Sequence, residues 1–159
     1  MSVSFAVEPF SSVYVELKPR LAEHYAEISH HHEHGFALKP QEAIYRAREA
    51  AGELMLMIGR EQGEIVAYFV AFIAPGLHYA DCLTAIGDIF YVAPAHRRSM
   101  VGSQLFAAVE AELRRRGVHL WTAGEKLKFP CEPLFKAAAM VPFERTWCKW
   151  LSDTDREIA

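Results

Sequence analysis

Cysteine is scarce. Cys82, Cys131 and Cys148 are odd in number and lack the paired spacing of a structural zinc site, so they read as reduced thiols of a cytoplasmic protein. An excess of one charge is also missing: a net charge of −3 gives no overall field to attract nucleic acid. Long apolar runs are absent too. The longest, 65–74, is too short to cross a bilayer and stops at Pro75-Gly76, so no membrane association is expected. The first residues, MSVSFAVEPF, show neither a basic n-region nor a cleavage-type site, and no secretory signal is expected. Repeats, low-complexity tracts and linkers are lacking, so residues 1–159 are expected to form one domain. What is present is 52% hydrophobic and 23% charged residues, enough apolar material in one domain's length for a substantial core.

The patterning predicts a first strand over 3–7 and a helix over 13–28, capped by Ser11-Ser12 and open to division at Pro19. A histidine-rich loop, 30–35, precedes a second helix from Pro40 to Gly52. Strands over 54–60 and 64–74 form a hairpin through Glu61-Gln62-Gly63, followed by a loop over 75–83. Further on come a strand over 118–123, a helix over 132–139 and a last strand over 143–151.

Between these lies the most informative segment, 84–117. A β-rich apolar run, TAIGDIFYVA, reads as a strand buried on both faces. The turn PAHRRSMVGS follows, and then a helix whose apolar stripe is Val101, Leu105, Val109 and Leu113. Arg114, Arg115 and Arg116 before Gly117 suit the negative end of that helix, which explains them without nucleic acid. A basic turn feeding a helix N-terminus is an anion cradle, because unpaired N–H groups and the positive dipole end converge there.

The run Arg97-Arg98-Ser99-Met100-Val101-Gly102, continuing into Ser103-Gln104-Leu105, resembles the acyl-coenzyme A signature of the GNAT N-acetyltransferase superfamily, Gln/Arg-x-x-Gly-x-Gly/Ala. The first and last positions match, and Met100 stands in place of the first glycine. The resemblance spans about 54–151 and is nearest to small bacteriophage-encoded members. It implies an α/β fold: a mixed central sheet of about six to seven strands, helices on both faces, and parallel strands that splay apart at the middle. It implies acetyl-coenzyme A (acetyl-CoA) as cosubstrate, with no metal, held by Arg97, Arg98, Ser99, Met100, Val101, Gly102 and Ser103. Phe90, Tyr91 and Val92 would pair with the pantetheine amides, the oxyanion donor being at Tyr91 or Val92. The acceptor would be an amine, on a protein or a small molecule, attacking the thioester directly.

Direct attack needs a base for the amine and an outlet for the thiolate. Asp88, a carboxylate inside an apolar strand, is the first candidate base, since a charge there must be paired or functional. His78 in the 75–83 loop and Glu125 after the next strand are the others. The family's acid is a tyrosine in a Leu-Tyr-x-x-x-Gly-Phe pattern. Here Leu134-Phe135 and Ala139-Met140 occupy it, so Phe135 has no proton to give and Tyr79 or Tyr91 would have to serve. Met100 and Phe135 also favour an alternative, a GNAT-fold binding protein with little catalysis. His30-His31-His32-Glu33-His34 contains His-x-x-Glu-His, a zinc-protease pattern, but Gly35 breaks the helix that pattern needs, and an acceptor-side loop is the better reading. Trp121, Trp147 and Trp150 read as core or sheet packing, with the last strand a candidate homodimer interface.

Overall fold

Alternation in the chain builds one sheet with a helical layer on each face. The structure, a computed structural model, describes residues 2–151. Strands β1 (Ser4–Val7), β2 (Leu54–Glu61), β3 (Glu64–Gly76), β4 (Tyr79–Val92) and β5 (Leu120–Ala123) lie side by side in that order. The first three pairings are antiparallel; β4 and β5 are parallel. Helices α1 (Phe10–Ile28) and α2 (Glu42–Ala50) cover one face, and α3 (Val101–Arg115) and α4 (Glu132–Ala137) the other. Two cores result. Leu56, Ile58, Tyr68 and Val70 point towards Val13, Tyr14 and Leu17. Met55, Met57, Phe69 and Ala71 point towards Leu105, Phe106 and Val109. The period-two alternation of β2 and β3 thus fills both faces.

Several expectations need correction. The sheet has five strands rather than six or seven, because 143–151 forms no strand. Trp147 in that segment is 83% exposed, and Trp150 instead stacks on His34 at 4.0 Å between ring centroids. Trp121 does join the core, edge-on to Phe69. The 75–83 loop is the closed end of a hairpin: Gly76 pairs with Tyr79, leaving Leu77 and His78 as its two-residue turn. β4 is not buried on both faces, since Ile86 is 57% exposed. Pro19 does not split α1. The carbonyl it deprives of a partner is that of Val15, four residues earlier on the solvent side, where water can replace the bond. Ser11 and Ser12 do not cap α1; the carboxylate of Glu49, from α2, accepts the amides of Phe10 and Ser11.

The turns show which backbone the sequence selected. Gln62 (φ 52°) and Gly63 (φ 89°) are both left-handed in the β2–β3 turn, as a two-residue hairpin with the sheet's twist requires. Ala139 is left-handed as well (φ 54°), just past α4, at the position where the resembled pattern has glycine. A Cβ in that region costs about 1–2 kcal/mol, against about 0.5–1 kcal/mol for glycine's greater freedom when unfolded. Ala139→Gly is therefore expected to stabilise the protein by about 0.5–1 kcal/mol, read as a higher urea midpoint at unchanged slope. A lower midpoint would show that Ala139's methyl contributes packing that outweighs the strain.

Candidate active site

The β4–β5 ladder ends at Gly87 and Ala123, while β4 runs on to Val92. Beyond that last rung the two parallel strands part, and residues 88–92 keep one backbone edge without a strand partner. Gly87 allows the final close approach. A Cβ there would lie 3.0 Å from the Thr122 carbonyl oxygen, 3.1 Å from Ala123 Cβ and 2.8 Å from Phe69 Cζ. At the same place β4 gains a residue over β3. Gly87 pairs with Ala71 and Ile89 with Val70, so Asp88 is the extra residue of a β-bulge. A bulge interrupts pairing and re-aims a side chain.

Asp88 is open to solvent and has no hydrogen-bond partner among the described residues. Although it reaches solvent, the protein packed around it still desolvates the carboxyl and pushes it above the usual range, with the Lys126 ammonium pulling the other way. The other two candidates are elsewhere. His78, at the hairpin tip, is separated from Asp88 by about 30 Å of strand path at 3.3 Å per residue. Glu125 is already occupied: its carboxylate accepts the Cys131 amide at the start of α4 and, after burial, is the next cause holding the Cys131 thiol up at about 12.

The basic turn enters α3 as its sequence suggests. Residues Pro94–His96 form one 3-10 turn, and α3 begins at Val101. Met100 sits at the helix N-cap in the right-handed region (φ −76°) and is 66% exposed, so it occupies the family's glycine position without backbone strain. Ser99 donates its hydroxyl to the His96 carbonyl (2.6 Å) and accepts the Val101 amide (3.3 Å). The amides of Gly102 and Ser103 have no acceptor among the described residues, as first-turn amides of a helix do not. Arg97 and Arg98 differ. Arg97 pairs with Glu27 of α1 through both guanidinium nitrogens (2.5 and 2.6 Å) and donates Nε–H to the Val92 carbonyl. Arg98 is exposed and unpaired among the described residues. Of the strand residues beside the gap, Phe90 points to the α3 side, where Phe135 meets it edge-to-face at 6.0 Å and meets Phe106 at 5.7 Å.

On the α1 side the structure assembles a polar group around Tyr91 whose other members, Glu23, His24 and Tyr68, the sequence reading did not single out. The Tyr91 hydroxyl donates to Glu23 (2.9 Å), and burial followed by that carboxylate pushes its pKa up to about 12. His24 Nδ1 shares a 2.6 Å hydrogen bond with the Tyr68 hydroxyl. Glu27 follows Glu23 by four residues and His24 by three on α1, so each of the two neighbours shares a helical side with it, which is the signal that was available.

Burial holds the His24 imidazole down at about 4, against 6.5 in the unfolded chain. Glu27 opposes this, while Arg97 and Lys126 add to it. The unfolded state therefore binds the extra proton first. The stability this histidine contributes is whole above about pH 6.5 and is lost as the pH falls towards 4, by on the order of 3 kcal/mol. His24→Gln should flatten the stability–pH curve between pH 4.5 and 6.5 relative to the parent, measured by urea unfolding. Parallel curves would show that His24 does not titrate in this window.

A sequence model described as "Acetyltransferase (GNAT) family" matches residues 15–138. The chain belongs to the GNAT acetyltransferase family. No curated protein sequence matches it. Its fold is shared with solved GNAT structures at low identity. An aminoglycoside acetyltransferase from an uncultured soil metagenomic sample aligns with TM-score 0.73 and 18% identity, over 96% of this chain and 100% of that one. A predicted acetyltransferase of Clostridium acetobutylicum, solved with acetyl-CoA, aligns with TM-score 0.66 and 13% identity, over 94% and 96%. Glucosamine-6-phosphate N-acetyltransferase of Arabidopsis thaliana gives 0.68 and 10%, over 96% and 100%. No described helix of this GNAT protein is long and apolar enough to cross a membrane. Among the described residues, no three His, Cys, Asp or Glu side chains are grouped to hold a metal ion. The His-rich segment is a single 3-10 turn, His31–His34, closed by left-handed Gly35 (φ 78°).

Proposed function

We propose that the protein is an acetyl-CoA-dependent N-acetyltransferase acting on a primary amine, with the whole chain, 1–159, as one acyl-CoA-binding domain. The observation that carries this is Asp88: a carboxylate without a hydrogen-bond partner, its pKa raised, on a bulge at the point where β4 and β5 part. The cosubstrate supplies an activated acyl group as a thioester. Arg98 and the amides of Gly102 and Ser103 bind its pyrophosphate, within the turn from Arg97 to Ser103. The free edge of Phe90, Tyr91 and Val92 lines the acyl arm, and an amide at Tyr91 or Val92 stabilises charge developing on the thioester oxygen. Asp88 takes the proton from the ammonium, directly or through one water, and the neutral nitrogen attacks. The leaving thiol's pKa is about 8.5, so its departure as thiolate asks little of an acid. No metal takes part.

Phe135 favours a second reading. Packed against Phe90 and Phe106, it puts a ring without a hydroxyl where the family pattern puts tyrosine. A protein that holds acyl-CoA or a partner with little turnover would tolerate that loss. Coenzyme A release measured with a panel of amines separates the two: amine-dependent release supports the enzyme, and tight binding without release supports the binder.

Cellular placement extends this reading: cysteines free of disulfides support a cytoplasmic protein, and the sequence resemblance extends it to the small, bacteriophage-encoded type. Exposed Val141, Phe143 and Trp147 support self-association through 141–151, now as irregular chain rather than as a strand.

A further inference from the structure

The acceptor side of Asp88 is largely apolar. Ile86, two residues before Asp88, is directly opposite Phe72 of β3, so the two side chains share the α1/α2 face of the sheet. Phe72 is 6.2 Å from the Tyr45 ring of α2. Tyr45 in turn feels Asp88: burial first, then the Asp88 charge, raises its pKa. Tyr45 and Ile89 line one crevice beneath. Ile86, Phe72, Tyr45 and Ile89 are thus a continuous apolar wall with Asp88 beside it. Ile86 is 57% exposed, a large apolar side chain at the bulge's margin.

The charges on this wall offer a polycation only one unpaired partner, Asp88. The Lys126 ammonium acts on Asp88. The Arg48 guanidinium lies over the Phe72 ring at 4.8 Å, with Glu53 at 3.4 Å as its counter-ion. An acceptor carrying several ammonium groups would find one unpaired carboxylate, Asp88, since Glu53 is already taken by Arg48, and would meet the Lys126 ammonium beside it. An acceptor with one ammonium would place it on Asp88 and leave its body on Ile86 and Phe72. The crevice below is only about 10 Å³, room for one water, so a ring must lie on the wall and not within it.

We propose that the acceptor is a monoamine carried on an aromatic or apolar body, its ammonium at Asp88 and its body against Ile86 and Phe72. This rests on the transferase reading above, and the chemistry fits a free arylalkylamine or a peptide whose first residue is aromatic. Thiol release from acetyl-CoA would be measured with phenethylamine, a tetrapeptide amide beginning with Phe, spermidine and the aminoglycoside sisomicin. One ring-sized apolar contact is worth about 10-fold or more in kcat/KM. Phenethylamine or the peptide is expected to exceed spermidine and sisomicin by at least that factor, and the faster of the two assigns the source. In Ile86→Glu, at an exposed position that leaves folding intact, the preference should narrow about 10-fold or reverse. Preference for spermidine or sisomicin, or a ratio unmoved by Ile86→Glu, overturns the proposal. If no amine releases thiol, thermal melting with coenzyme A and phenethylamine decides. An amine-dependent rise in Tm that Ile86→Glu removes upholds the wall while the transferase reading falls, and no rise overturns both.

Discussion

Asp88→Asn is expected to lower kcat by about 10²-fold or more while leaving acetyl-CoA affinity unchanged, the usual scale for losing a positioned base. The amide has the carboxylate's shape and cannot accept the proton. Few substitutions separate chemistry from structure so cleanly, because Asp88 has no hydrogen-bond partner among the described residues to be disturbed. The pH profile carries the second half of the test. Desolvation raises the Asp88 pKa, so the acid limb of kcat/KM should lie above the ordinary aspartate range, with the base active above that limb and protonated below it. In the variant the limb should disappear. Companion changes should behave differently. His78→Ala, about 30 Å of strand away, should keep its activity. Glu125→Gln should loosen the start of α4, where its carboxylate accepts the Cys131 amide, and lower stability before rate. Full activity of Asp88→Asn at neutral pH, with loss in His78→Ala, would move the base to His78 and imply that the hairpin tip folds over the cleft.

Much of this site was legible because strict local rules govern it. The strand, basic turn and striped helix of 84–117 are a run of short-range signals, and each appears in the structure as β4, the turn and α3. An aspartate inside an apolar strand stands out because burying its charge would be costly, although the structure leaves Asp88 open to solvent at the bulge. Register is not legible in the same way. That Asp88 is a bulge depends on β3 contributing one residue fewer between Val70 and Ala71, a property of the pair. Side-chain partners were equally hidden. Arg97 and Arg98 are adjacent residues of one type, yet Glu27, seventy residues before Arg97, takes only one of them. The loop expected over 75–83 shows a different limit. Pro75 and Gly76 read as breakers, but Pro75 pairs with Leu83 at the hairpin's closing end, where the lost donor is tolerated. The strand expected over 143–151 found no partner among the described residues. Periodicity says which residues share a face; it does not supply the neighbour that makes a strand.

Gly102→Glu is expected to abolish acetyl-CoA binding by calorimetry without unfolding the protein. The position has a neighbour on one side only. A Cβ at Gly102 would touch Leu134 at ordinary contact distance, 3.4 Å from Cδ1 and 3.8 Å from Cδ2, so the open direction for the new side chain is across the first turn of α3. There its carboxylate meets the unpaired amides of Gly102 and Ser103 and the positive end of the helix, an interaction worth about 0.3–1 kcal/mol in favour of the folded state. The variant fills its own anion cradle, and a pyrophosphate approaching it meets like charge in place of donors. Gly102→Ala is the control for bulk. Its methyl touches Leu134 but adds no charge, and affinity should fall by less than about 10-fold, a contact that a small shift of Leu134 relieves. Unchanged affinity in Gly102→Glu, with melting behaviour like the parent's, would place the phosphates away from the start of α3. The free cation at Arg98 would then mark some other path for the cosubstrate across the sheet.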